Sequence, residues 1–106
     1  VIRKEVVNDL LESLNKADSN LNATFDEAAG EIIVDVPGTD YCVSWGYGKP
    51  DHVIWQGVLG RKNTDEMYCL LNSPLVFEDD IASASRFILS AAYGFQKILS
   101  VGLGFD

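Results

Sequence analysis

Between Leu21 and Leu71 the chain alternates apolar and polar side chains, and the alternating segments are joined by connections too short to hold a helix. Leu21, Ala23 and Phe25 alternate with Asn22, Thr24 and Asp26; after Glu27 to Gly30, Ile32, Val34 and Val36 alternate with Glu31, Ile33 and Asp35. A period of two is the signature of a strand with one face buried and one face wet. Pro37-Gly38 marks a turn, and a third strand follows with Tyr41, Val43, Trp45 and Tyr47 on one side and Cys42, Ser44 and Gly46 on the other. Gly48 to Asp51 turns the chain again, His52 to Leu59 reads as a fourth strand, and Gly60 to Asp65 leads into a fifth over Glu66 to Leu71. Parallel strands need crossovers of roughly a dozen residues, so four short connections between five consecutive strands dictate an antiparallel meander.

The meander is flanked by two helical patterns. From Arg3 to Ala17, Val6, Val7, Leu10, Leu11 and Leu14 recur at spacings of three and four, with Glu5, Asp9, Glu12 and Lys16 opposite. Asn72-Ser73-Pro74 closes the sheet region. Glu78, Asp79 and Asp80 then suit a cap and first turn at the positive end of a helix dipole, ahead of a helix running to Ser100. Its stripe is Ile81, Ala84, Ile88, Ala92, Phe95 and Leu99; Ala82, Ser83, Ser85, Ser90, Ala91 and Gly94 keep much of the remainder small, which suits close approach to a sheet. Gly102 and Gly104 stop it, leaving Leu103 and Phe105 as an apolar tail. The expected fold is one α+β domain over residues 1–106: an N-terminal helix, a five-stranded antiparallel meander and a long C-terminal helix, both helices on one face of the sheet. Leu10, Leu14, Phe25, Val34, Val43, Ile88, Phe95 and Leu99 are expected in its core.

Charge is the feature closest to function. The chain carries sixteen carboxylates against eight Lys and Arg, a formal charge of −8, and six of those carboxylates (Asp26, Glu27, Glu31, Asp35, Asp40 and Asp51) fall in residues 21–51 beside one cation, Lys49. The alternation displays Asp26, Glu31 and Asp35 on the outward side of the first hairpin, and a displayed acidic face fits a basic partner. The same balance opposes direct binding to a phosphate backbone. No run approaches the roughly 18 apolar residues of a membrane span, and Ile2 is followed at once by Arg3, Lys4 and Glu5 rather than by a secretory apolar segment. No membrane partner and a cytoplasmic location are therefore expected, and the Asn22-Ala23-Thr24 sequon is read as unused. Cys42 and Cys69 sit in apolar strand patterns and read as small buried hydrophobes in a reducing compartment rather than as a disulfide.

The residues that carry chemistry elsewhere do not assemble into a catalytic pattern. One His and two Cys separated by 27 positions fall short of the three or four clustered ligands of a metal site, and no cofactor is implied. His52 is the sole imidazole and reads as an exposed strand end. Gly46-Tyr47-Gly48-Lys49 and Gly57-Val58-Leu59-Gly60-Arg61-Lys62 lack phosphate-loop spacing and are read as hairpin turns, with Arg61-Lys62 as a loop tip. Trp45, Tyr47, Trp55 and Tyr68 suit either a partner anchor or the core; filling the core is the expectation.

In size, acidity and α+β pattern the chain resembles the bacterial immunity proteins that neutralise nuclease toxins, including those of contact-dependent inhibition systems. The resemblance is one of class and assigns no residue. It implies a non-enzymatic protein that binds a basic toxin domain through acidic residues. A second, local resemblance lies in Phe25-Asp26-Glu27-Ala28-Ala29-Gly30 after a helix, which looks like the start of type III secretion chaperones. That alternative implies a homodimer binding an effector segment, but five strands run on here without the short helix those chaperones place between strands three and four. If Asp26, Glu31 and Asp35 share one solvated face and engage a basic partner, reversing Glu31 and Asp35 to lysine is expected to leave stability nearly unchanged while binding collapses.

Overall fold

The structure, a computed structural model, describes residues 4–47, 55–73 and 80–101. The expectations for Arg3, Asp51, His52, Glu78, Asp79 and the apolar tail lie outside the described residues. Helix α1 (Lys4–Ala17) buries Val6, Val7, Leu10 and Leu14, the stripe its periodicity selects. The chain then enters a 3-10 turn, Ser19–Leu21, capped by Asp18, whose Oδ1 accepts the Asn20 N–H at 2.9 Å.

Strand β1 is shorter than the alternation suggests: it covers Thr24–Asp26 rather than beginning at Leu21. The reason is local competition for backbone groups. Asn15 on α1 accepts the Ala23 N–H at 3.0 Å and donates to the Ala23 carbonyl at 3.1 Å, so both groups go to the helix rather than to a sheet ladder. Asn22 takes a left-handed φ of 46° and ends the 3-10 turn. The side-chain parity survives, because Leu21 and Ala23 are buried while Asn22 and Thr24 are exposed.

The remaining strands are β2 (Glu31–Asp35), β3 (Tyr41–Tyr47), β4 (Trp55–Arg61) and β5 (Met67–Asn72). They form one five-stranded sheet in the order β1-β2-β3-β4-β5, every pair antiparallel, so the meander is as expected. Two strands differ in extent: β4 extends to Arg61 instead of stopping at Leu59, and β5 runs one residue later than the pattern gave. Gly57 and Gly60 are consequently strand residues, not parts of a hairpin turn, and Gly46 likewise belongs to β3. Each yields space to a neighbour. A Cβ on Gly57 falls 2.7 to 2.9 Å from three atoms of the Trp45 ring, and one on Gly60 falls 2.6 Å from the Glu66 carbonyl oxygen. The second contact sits at a β-bulge, where the β4–β5 register shifts between Leu59 and Gly60.

Helix α2 (Ile81–Ser100) starts at an Asp80 cap whose Oδ1 accepts the Ser83 N–H at 3.1 Å, the role its position predicts. The close approach to the sheet that its small residues suggest is not made. Ala84, Ser85 and Ala92 are buried, yet α2 approaches α1 more closely than any strand. Toward the sheet the gap is filled by aromatics, with Phe87 meeting Trp45 edge to face at 5.6 Å between ring centroids.

Both helices share one core with one face of the sheet: Leu10, Leu14, Ile88 and Ala92 join Ile32, Val34, Val43, Trp45 and Leu59 in a single buried cluster. Of the expected core residues, Phe25, Phe95 and Leu99 are only half-buried at its margin, because β1 is a short edge strand and the last turns of α2 face outward in part. Trp45 and Trp55 are fully buried, so these two aromatics are core. Among the described residues no helix is long and apolar enough to cross a membrane.

Candidate functional site

With both helices on one side, the opposite face of the sheet is covered by no described element, and the strand registers fix what it displays. One row crosses all five strands as Thr24, Ile33, Ser44, Val58 and Leu70, and beside it runs a polar row of Asp26, Glu31, Gly46, Gln56 and Asn72. A third row places Asp35, Cys42, Gly60 and Met67 in line. The expected gathering of Asp26, Glu31 and Asp35 on one outward face therefore holds as a matter of register.

Their surroundings differ. Asp26 closes the β1–β2 turn: its Oδ1 accepts the N–H groups of Ala28 at 3.1 Å and Ala29 at 3.2 Å, and its carbonyl accepts the Gly30 N–H at 2.8 Å. Gly30 completes the turn at a φ of 70°, a conformation glycine adopts without strain. Glu27 lies exposed in the same turn. Glu31 stands directly opposite Asp26 and lies across the sheet over Gly46, its Cγ 3.1 Å from where a Gly46 Cβ would be. Among the described residues its carboxylate has no hydrogen-bond or ion-pair partner. Burial, and then the Asp26 charge, hold the Glu31 carboxyl above the usual carboxylate range.

At the other end of β2, Asp35 is engaged. Its Oδ2 accepts from Asn22 Nδ2 at 3.0 Å and pairs with Lys62 Nζ at 3.4 Å, while Lys62 also donates to the Thr39 carbonyl at 3.2 Å. Asp40 is exposed in the β2–β3 turn, its carbonyl accepting the Lys62 N–H at 2.9 Å. Arg61 and Lys62 are therefore ties rather than a loop tip. Arg61 lies over the Tyr41 ring, 5.2 Å from its centroid, donates to the Tyr41 hydroxyl at 2.9 Å and pairs with Glu66 at 3.6 Å. Residue spacing in the sequence does not reveal this, because Lys62 and Asp35 are brought together only by the β2–β3–β4 register. Reversing Asp35 consequently removes two ties and sets a lysine against Lys62, so the expected neutrality of an Asp35→Lys change does not survive. Among the described carboxylates of this stretch, those outside such an ion pair are Asp26, Glu27 and Glu31 at the first hairpin and the exposed Asp40 in the β2–β3 turn.

A polar cleft of about 550 Å³ lies between the 3-10 turn, the β2–β3 turn and α2, lined by Asn22, Asp35, Lys62, Tyr93 and Gln96 among others. Its polar groups are largely spent on the fold: Gln96 donates to the Pro37 carbonyl at 2.7 Å, Tyr93 donates to Asp18, and Asp35 holds Asn22 and Lys62. Cys42 faces the open side opposite Gly60, whereas Cys69 faces the core opposite Leu59. The two thiols are free, two strands apart and on opposite faces, in keeping with the expectation of no disulfide. Burial pushes the Cys42 thiol up. Among the described residues no group of three or more His, Cys, Asp or Glu is placed to hold a metal ion.

Comparison with protein-family models, with curated proteins and with solved structures found no match to this chain.

The Glu31 environment has a measurable consequence. A carboxyl that binds its proton more tightly in the folded state than in the unfolded one loses stability as pH rises from the ordinary glutamate range through its raised value. Glu31→Gln is expected to melt above the wild type at neutral pH, with the difference vanishing at pH values below the ordinary glutamate range. Thermal melts of both proteins across pH check this, and a difference independent of pH contradicts it.

Proposed function

We propose that this chain is a non-enzymatic binding protein whose acidic hairpin and adjoining open sheet face engage a basic protein, with a nuclease-type toxin domain as the target. One observation supports this above the others: Asp26 and Glu31 face each other across the β1–β2 pair at the margin of a sheet face that no described element covers, and Glu31 is partly buried without a described partner. Like charges directly opposite destabilise a sheet, and a cation brought by a partner relieves that repulsion. The nuclease assignment rests on charge complementarity. A cleft that binds a phosphate backbone is basic, and carboxylates presented at its mouth occupy the places of phosphates. The neighbouring row of Ile33, Ser44 and Val58 supplies small, half-buried contacts beside the charges.

The structure selects a cleaner test than the one the sequence offers. Glu27→Lys with Glu31→Lys leaves the Asp26 turn and the Asp35–Lys62 tie intact. Glu27 is exposed and its charge contributes little to folding, while replacing Glu31 removes its repulsion by Asp26, so the melting temperature is expected not to fall below the wild-type value. Against the basic nuclease domain of a toxin encoded beside this chain's gene, the double reversal is expected to lower the association rate by at least about tenfold and to flatten its dependence on ionic strength. Failure of the wild type to bind such a domain counts against the proposal, as do unchanged rates at every salt concentration.

A further inference from the structure

Gly46 is a glycine inside a strand, and its own backbone does not ask for one. Unlike Gly30 and Gly38 it has no left-handed φ, so any residue can adopt its conformation. Glycine in a strand interior weakens the strand and marks a place where another group comes close. Here that group is Glu31. A Cβ on Gly46 falls 3.1 Å from Glu31 Cγ and 3.8 Å from Glu31 Oε2, while the Gly30 carbonyl oxygen lies at an ordinary 3.5 Å. Among the described residues, a side chain at position 46 therefore competes with Glu31 alone.

The register shows why Glu31 takes that space. Asp26 on β1 stands directly opposite Glu31 on one side, and the step beyond the Ile32–Trp45 pair sets Gly46 of β3 opposite it on the other. Past Gly46 comes Gln56 of β4, so among the described residues Asp26 is the one charged group beside Glu31 in the register. Leaning toward β1 brings two carboxylates together, which is unfavourable. Glu31 leans the other way, over Gly46, and Gly46 is buried beneath it.

We infer that Gly46 is a positioning residue of the acidic face: by carrying no side chain it lets Glu31 lie flat along the sheet, where a basic side chain of the partner reaches down to it over β3. What this means for a partner rests on the proposed function; the posture of Glu31 does not. A partly buried carboxylate makes a short-range contact that is stronger than one made in open water. The long-range field of the hairpin, in contrast, depends on how many charges it carries. Position 46 then acts on dissociation, while the hairpin charges act on encounter.

Gly46→Ala and Gly46→Val test both parts. Alanine asks Glu31 to give a little and valine displaces it further. In the free protein, the Glu31 carboxyl carbon is followed by NMR across pH in an Asp26→Asn background, which leaves burial as the cause of its raised value. The midpoint is expected to fall toward the ordinary glutamate range with alanine, and further with valine. Against the basic nuclease domain used to test the proposed function, with Asp26 restored, Gly46→Val changes no charge. It is expected to leave the association rate and its salt dependence unchanged and to speed dissociation by at least about tenfold. Circular dichroism identifies a variant that does not fold; if valine is one, the alanine variant carries both readings. Glu31 midpoints that stay at the Gly46 value overturn the positioning role whether or not the domain binds. Midpoints that fall in a protein whose wild type does not bind support the posture and count against the proposed function alone. Midpoints that fall while dissociation from a bound domain is unchanged overturn the role of that posture in partner contact.

Discussion

Truncating Trp45 to alanine is expected to cost about 3–5 kcal/mol. Trp45 is fully buried at the centre of β3, lies over Gly57 on β4 and meets Phe87 of α2 edge to face, so it fills the space between the sheet and the helix layer. Its removal leaves a cavity bounded by a glycine on one side, which has no side chain with which to fill it. For a domain of this size each kcal/mol moves the melting midpoint by roughly 4–8 °C, so a fall on the order of 12–40 °C is expected in thermal melts. A loss smaller than about 1 kcal/mol would show that the sheet and α2 collapse onto each other without the indole.

The reciprocal change tests the same contact from the other strand. Gly57→Ala places a methyl carbon 2.7 to 2.9 Å from three ring atoms of a side chain that is itself fully enclosed, so the ring has to move against Phe87 and the rest of the core. Overpacking of this kind costs about 1–3 kcal/mol. Trp45→Phe shortens the ring system facing Gly57, so the double variant Gly57→Ala, Trp45→Phe is expected to lose less than the sum of the two single changes. Chemical denaturation of the four proteins gives that coupling directly. Additive losses would mean that the alanine is accommodated by movement of the strand rather than by the indole, and that the fit of Trp45 over Gly57 is incidental.

Both predictions concern residues whose meaning depends on what faces them. Gly57 and Gly60 look like turn residues in the sequence, because glycine followed by basic residues is common in hairpin connections. In the fold they are interior to β4, one making room for the Trp45 ring and the other for the Glu66 carbonyl at the bulge. Neither partner is a sequence neighbour in the sense that a turn pattern detects.

The sequence by itself determined the α+β class, the five-stranded meander, the Asp80 cap and the faces of both helices, because period-two and period-3.6 patterns and short connections are properties of neighbouring residues. It also determined that Asp26, Glu31 and Asp35 share an outward face, since parity within a hairpin follows from alternation alone. Only the tertiary structure decided that Asp35 is held by Asn22 and Lys62 while Glu31 stands half-buried against Asp26, that Asn15 takes the backbone groups of Ala23 and shortens β1, that α2 lies nearest α1, and that Met67 and Leu70 of β5 are exposed. Each of these depends on which distant residues the register and the helix docking bring within a few ångströms, and desolvation and pairing are set by those neighbours rather than by position along the chain.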